Sequence, residues 1–246
     1  MQAIILAAGM GNRLGNLTRY NAKCMVKVNG ITLIERILHQ LDRLNLEKIT
    51  IVIGYEGEKL RCYIDSLLIT TKIDYVTNPV YESTNNIYSL YLAKDIMLSS
   101  DFLLLESDLI VDDTVLPKFI GNPLPDLALV ARYETWMDGT VVTMDEFNNI
   151  TRFIPKKDFS SDESTGYYKT VNIYKFSRRF SSNLYIPFLE AYIKAFGCND
   201  YYEQVLRIIS FLDVTALKAH TIGDDKWYEV DNARDLEIAE SIFTDE

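Results

Sequence analysis

Apolar residues follow two periods along the chain. The run at 3–8, AIILAA, is short and continuously apolar, as in a strand buried on both faces. KITIVIG at 48–54, IDYVTN at 73–78 and DFLLLESDL at 101–109 repeat that character. Between them, residues 31–45 place Leu33, Ile34, Ile37, Leu38, Leu41 and Leu44 at helical spacing, and 57–69 reads as a second helix. STNN supplies N-cap chemistry for a third helix near 85–98. Strands alternating with helices in this way predict an α/β protein with a Rossmann-like, doubly wound, mostly parallel sheet.

The second half changes pattern. Segments 127–133, 139–144, 149–154 and 167–176 predict strands joined by short turns, an antiparallel extension of the main sheet. Residues 178–196 and 200–212 predict helices, and 216–223 and 226–230 short strands. An amphipathic helix over 232–243 follows, with Asn232 as its cap. No segment is long enough to act as an interdomain linker. The expectation is one domain over 1–246, with a nucleotide-binding half at 1–125 and an acceptor-binding half at 126–246.

Composition narrows the chemistry. With 25 basic and 35 acidic side chains, the formal charge is −10, which disfavours nucleic acid and anionic membranes as partners. The N-terminal apolar run is too short to span a membrane and lacks a basic leader. Three widely spaced cysteines, Cys24, Cys62 and Cys198, form no disulfide framework, and a cytoplasmic location is the expectation. Only two histidines are present, His39 and His220, so carboxylates, lysines and arginines must carry any catalysis. The sequence specifies no oligomeric state.

A buried strand that feeds directly into AAGMGNRL puts a glycine loop at the sheet's carboxyl edge, where such folds bind ligands. Gly9 and Gly11 let the backbone approach a phosphate and present its N–H groups. Arg13 offers a bidentate contact and Lys23 a compact charge. The loop lacks the GKS or GKT of a P-loop, and Leu14 stands where a dinucleotide fingerprint needs its third glycine. Two glycines alone fit an ordinary tight turn; Arg13 and Lys23 favour a phosphate site. Acids form a second constellation. Glu106 and Asp108 sit two apart at a strand end, and Glu229 and Asp231 repeat the spacing in WYEVDN. Such carboxylates on neighbouring strands can share a hard cation. Taken singly, each pair also fits a solvated strand end or a helix cap.

LAAGMGNRL followed by NAKCMVKVNG and ITLIERIL resembles the signature of the sugar-nucleotidyltransferase superfamily, LAAGxGxRLxPLT followed by PKxLxxxxGxxLI. Asn16 and Ala22 replace two of its prolines, which removes no reactive side chain. The resemblance implies the nucleotide-diphospho-sugar transferase type of fold and a Mg²⁺ ion held by Asp108 and Asp231. It further implies that Leu6, Ala8, Gly9, Met10, Gly11 and Asn12 contact the nucleotide, with Arg13 on the β- and γ-phosphates. Lys23 would neutralise charge on the transferring group. An ionised acceptor oxygen would attack the α-phosphorus and release pyrophosphate, so no general base is required.

YESTNNIYSLYLAKD at 81–95 resembles the YNNxYSLYLA stretch of the phosphocholine and phosphonate cytidylyltransferase branch, which implies CTP as donor. Asn86 and Ser89 share a helix face and would meet the base, with Glu106 also assigned to the nucleotide. GYYKTVNIYKFS at 166–177 resembles the phosphonate members, which favours 2-aminoethylphosphonate as acceptor with phosphocholine as the alternative. Candidate acceptor contacts are Arg132, Trp136, Asp138, Lys156, Asn172 and Glu229. Lys169 is a further cation for a phosphonate, and Asp200 and Glu203 are further acceptors for an ammonium. Some members of that branch carry a fused aminotransferase domain; the resemblance leaves open that this domain comes from a longer chain with such a C-terminal domain. A sugar-1-phosphate nucleotidyltransferase, a non-catalytic nucleotide sensor and an NAD-binding redox protein are the competing classes.

Overall fold

A computed structural model of the chain describes residues 1–244. Among these, the strands are β1 (Gln2–Ala7), β2 (Lys27–Val28), β3 (Ile31–Thr32), β4 (Ile49–Ile53), β5 (Ile73–Thr77), β6 (Phe102–Glu106) and β7 (Leu109–Val111) in the first half. The second half adds β8 (Leu127–Arg132), β9 (Val141–Met144), β10 (Ile150–Ile154), β11 (Tyr168–Phe176), β12 (Lys218–Thr221) and β13 (Trp227–Glu229). The parallel part of the main sheet runs β5-β4-β1-β6, with β1 at its heart. Strand β11 pairs antiparallel to β6 and carries β8 and β9 in turn. The architecture is the mixed α/β sheet with an antiparallel extension that the pattern predicts.

The helices are α1 (Leu33–Asp42), α2 (Gly57–Asp65), α3 (Asn86–Leu92), α4 (Lys94–Ser99), α5 (Val115–Gly121), α6 (Arg178–Phe180), α7 (Ile186–Phe196), α8 (Glu203–Leu212) and α9 (Ala233–Ile242). Strand β1 shows why both sheet faces are covered. Its Ala3, Ile5 and Ala7 pack with Ile34, Leu38 and Leu41 of α1 and Leu60 of α2 on one face. Its Ile4 and Leu6 pack with Ile87 and Leu90 of α3 and with Val205 and Leu206 of α8 on the other. Alternating side chains of one apolar strand thus feed two cores.

Three elements differ in detail from the sequence pattern. The helix expected near 85–98 breaks at Ala93 into α3 and α4. The helix expected over 178–196 widens into a π-helical turn at Ser181–Tyr185, just before Pro187, which has no backbone N–H to donate. The strand expected to run through 109 stops at Glu106. After Ser107 and Asp108 the chain continues as β7, which pairs with β13 in a separate two-stranded ribbon. That ribbon brings the two acidic pairs together, with Val230 N–H donating to the Asp108 carbonyl at 2.9 Å.

The N-terminal loop is braced from below. Tyr55 N–H donates to the Ala8 carbonyl at 3.2 Å, and Thr18 Oγ1 donates to the Gly11 carbonyl at 2.8 Å. Gly54 lies so close to this loop that a Cβ there would stand 2.8 Å from the Ala8 carbonyl oxygen and 2.9 Å from the Ala8 and Tyr81 Cβ atoms. Backbone cannot yield as a flexible side chain can. Gly54→Ala is therefore expected to cost about 1–3 kcal/mol of stability, read as a lowered Tm in thermal denaturation, by displacing residues 8–11 of the loop.

Candidate functional site

A cleft of about 690 Å³ opens at the carboxyl edge of the parallel strands and is lined from both halves of the chain. Leu6 and Ala8 at the end of β1, with Gly9, Gly11, Asn12, Arg13 and Lys23 beyond it, form one wall. Gly9 has open space where a Cβ would stand, so that part of the backbone faces the cleft. Gly11 has φ +64, and a Cβ there would come within 2.9 Å of the Lys23 side chain. The second glycine of the motif thus gives both the left-handed turn and the room in which Lys23 crosses under the loop.

Lys23 Nζ lies 2.5 Å from Asp108 Oδ2 and 2.5 Å from Asp231 Oδ1, and Arg13 Nη2 lies 2.8 Å from the same Asp231 oxygen. Burial opposes the charge on Lys23, but the Asp108 and Asp231 carboxylates outweigh it and hold the ammonium above its ordinary value. Local structure fixes both acids. Asp108 follows the end of β6. Asp231 precedes α9, where Asn232 and Asp235 form a capping box and Asp235 also accepts the Asp231 N–H at 3.0 Å. Since Asn232 caps the helix, the Asp231 side chain is left to face the cleft.

Oxygens of Asp108, Glu229 and Asp231 lie within 4.8 Å of one another, a spacing that can hold a metal ion. Asp108 Oδ1 is buried with no hydrogen-bond partner. A buried carboxylate oxygen without a donor is costly, and an all-oxygen set suits a hard divalent cation. The residues present therefore fit such an ion.

Deeper in the cleft the side chains brace one another. Asn86 Nδ2 donates to Glu106 Oε1 at 2.9 Å, and Asn86 Oδ1 accepts the Tyr202 N–H at 3.0 Å. Asn78 Nδ2 donates to Ser89 Oγ at 3.2 Å. Asn86 and Ser89 line the cleft as the helix spacing predicts, yet both already hold protein partners. Glu229 receives Asn172 Nδ2 at 3.3 Å on one oxygen and Lys169 Nζ at 3.3 Å on the other. Asn172 has φ +59, and the pairing of β11 with β8 breaks between Thr170 and Tyr174, which turns this residue toward Glu229. Burial and the neighbouring carboxylates Asp108, Glu203 and Glu229 push Glu106 well above the ordinary carboxylate range. Burial likewise pushes Glu229 up, against the pull of Lys169.

Asp138 and Lys156 also line the cleft, paired to each other at 2.7 Å. Four candidates do not line it, among them Asp200, which accepts from the Tyr192 hydroxyl and the Tyr201 N–H. Met10 is passed over within the loop, and Arg132 at the end of β8 points to solvent. Trp136 stacks on Tyr228 with centroids 4.8 Å apart and planes 6° apart, and its Nε1 donates to Glu134 at 2.8 Å. Its ring is engaged outside the cleft. The residue reading missed Asn78, Tyr81, Thr84, Thr140 and Gln204, which do line it. Asn78, Tyr81 and Thr84 follow β5 at the same sheet edge as the glycine loop, a signal present in the sequence; Thr140 and Gln204 depend on how the second half folds back.

Among the described residues, no helix is long and apolar enough to cross a membrane. The chain is 28% identical over 245 residues to CMP-5'-(3-aminopropyl)phosphonate synthase of Streptomyces rubellomurinus, covering 99% of this chain and 39% of that protein. It is 35% identical over 123 residues to 2-aminoethylphosphonate cytidylyltransferase of Lancefieldella rimae, covering 50% of this chain and 47% of that one. The chain thus spans less than half the length of either relative. The fold matches the solved CTP:phosphocholine cytidylyltransferase of Streptococcus pneumoniae with a TM-score of 0.79 at 20% identity, over 98% of both chains. Residues 3–141 match the family described as the MobA-like NTP transferase domain. With that match over more than half its length, the chain belongs to the MobA-like NTP transferase domain family of nucleotidyltransferases.

Proposed function

We propose that this chain is a Mg²⁺-dependent cytidylyltransferase that converts CTP and 2-aminoethylphosphonate to CMP-2-aminoethylphosphonate and pyrophosphate. The observation that carries the reading is the meeting of Arg13, Lys23, Asp108 and Asp231 at the mouth of the glycine loop. The similarity to phosphonate-acting relatives, one of them along nearly the whole chain, supports CTP and an aminoalkylphosphonate as substrates. Phosphocholine is the weaker alternative, because Trp136 stacks on Tyr228 and is not at hand to cage a quaternary ammonium.

The triphosphate lies along the loop from Gly9 to Arg13, whose backbone N–H groups and guanidinium take its oxygens. Leu6 and Ala8 flank the cytidine, and the braces at Asn86 and Ser89 shape the pocket for a small base. A phosphonate oxygen of the acceptor, already anionic, forms a bond to the α-phosphorus as the bond to the pyrophosphate oxygen breaks. No proton need be removed, which suits a cleft without histidine. Lys23 gives its charge to the α-phosphoryl oxygens as the negative charge spreads over them, and the rigid loop keeps attack and departure in line. Asp108 and Asp231 would hold the Mg²⁺, with Glu229 beside them. When bound, that ion supplies neutralisation of the triphosphate charge.

Pyrophosphate release should appear with CTP, Mg²⁺ and 2-aminoethylphosphonate. Release with sugar 1-phosphates and UTP or dTTP, but never with CTP and the amino-phosphonate, would overturn the reading. Lys23→Ala is expected to lower kcat by about 10²–10³-fold while CTP affinity falls only modestly; equal losses in both would make Lys23 a binding residue only. Chelation should abolish turnover and added Mg²⁺ restore it. Asp231→Asn should raise the Mg²⁺ concentration needed for half-maximal rate about tenfold or more, measured by metal titration.

A further inference from the structure

Three glutamates, Glu106, Glu203 and Glu229, line the cleft close enough to perturb one another, and Lys169 is the buried cation that lines it with them. Lys169 is already used by Glu229 and by the Thr170 carbonyl at 2.7 Å. Glu229 has a protein partner on each oxygen, and Glu106 has Asn86 on one. Glu203 stands apart. It opens α8, uses its own backbone N–H, and is 7% exposed, yet its Oε2 has no hydrogen-bond partner. It is placed across from Glu106, because the preceding residue, Tyr202, donates its N–H to Asn86, which in turn holds Glu106.

We propose that Glu203 is the specificity-determining residue for the acceptor and receives its ammonium group, which must carry N–H donors. The inference rests on the cytidylyltransferase reading and adds the recognition of the acceptor's cationic end. A buried carboxylate oxygen with no donor requires one from the ligand. A primary ammonium brings three N–H donors and a full charge, enough to meet Glu203 and the Glu106 carboxylate beside it. A quaternary ammonium brings no donor and needs aromatic faces. The rings that line the cleft are those of Tyr81 and Tyr201, at its rim. A metal ion is a poorer occupant, since among the described residues Glu203 belongs to no group of ligand atoms at metal spacing. Burial also pushes the Glu203 carboxyl up to about 7, with only a partial opposing pull from Lys169. Glu203, with Glu106 beside it, thus offers carboxylate oxygens to the acceptor's amine, while Arg13 and Lys23 at the loop serve the triphosphate.

The test compares 2-aminoethylphosphonate, its N-trimethyl derivative and ethylphosphonate, by calorimetric binding and by pyrophosphate release with CTP. The wild-type protein should prefer the primary amine over both analogues. Glu203→Gln, close in shape, should raise Kd and KM for 2-aminoethylphosphonate about 10–100-fold and leave ethylphosphonate and the KM for CTP within about twofold. Glu203→Asp, which keeps the charge, should retain part of the preference and serves if the glutamine variant does not fold. Equal affinity of the wild type for all three ligands, or a preference that survives Glu203→Gln, overturns the proposal. If no acceptor yields pyrophosphate from CTP but the amine preference depends on Glu203, the cytidylyltransferase reading fails and the subsite stands. If CTP turnover proceeds and the preference ignores Glu203, the subsite fails and the reading stands.

Discussion

One buried ammonium holds the site together. Lys23 sits between Asp108 and Asp231, carboxylates that arrive from the end of β6 and from the start of α9. Two acids this close would repel each other without a cation. Two acids around one ammonium, with Arg13 also on Asp231, make a network in which loss of Lys23 leaves the Asp108 carboxylate without its cation. The glycine loop, the end of the central sheet and the C-terminal ribbon are therefore fixed relative to one another by charge as well as by packing. The same groups would meet the triphosphate and its metal ion, so the framework that positions the site is also its chemistry.

The cleft resolves an apparent mismatch between a strongly acidic chain and the polyanionic substrate proposed for it. Net charge describes the whole surface, whereas binding depends on what lines a partly enclosed space. Arg13, Lys23 and the loop N–H groups share the cleft with Glu106, Glu203 and Glu229, and Glu229 lies beside the Asp108 and Asp231 carboxylates that Lys23 meets. Burial pushes Glu106, Glu203 and Glu229 upward in pKa, a cost that the fold carries in a region otherwise well braced by Asn86, Asn172 and Lys169. Such unfavourable burial is common where a ligand of opposite charge is to be received.

Local signals carried the nucleotide half far. AIILAA is apolar throughout because β1 is covered on both faces, and the alternation of such runs with helical spacing already specified the parallel sheet. Gly11 was legible as a close approach, and Asn232 as a helix cap, because both act within a few residues of themselves. The acceptor side was less legible. Trp136 is an aromatic residue in a polar segment, which marks a ligand contact or a surface stack alike, and only its place beside Tyr228 decides between them. Arg132 is the exposed last residue of the otherwise buried β8, but which edge of the sheet it serves depends on strands more distant in sequence.

The sequence alone determined most of the elements, the tight glycine turn of the N-terminal loop and the identity of the charged groups, since these rest on periodicity, glycine sterics and side-chain chemistry that need only near neighbours. The tertiary structure decided which acids meet. It ended β6 at Glu106, sent β7 out to pair with β13, and so set Asp108 against Asp231, 123 positions away by their numbers. It also left Glu203 buried beside Glu106 with an oxygen unsatisfied. Strand pairing and helix docking across the sheet are non-local, and no property of a residue's own segment encodes the partner it will face.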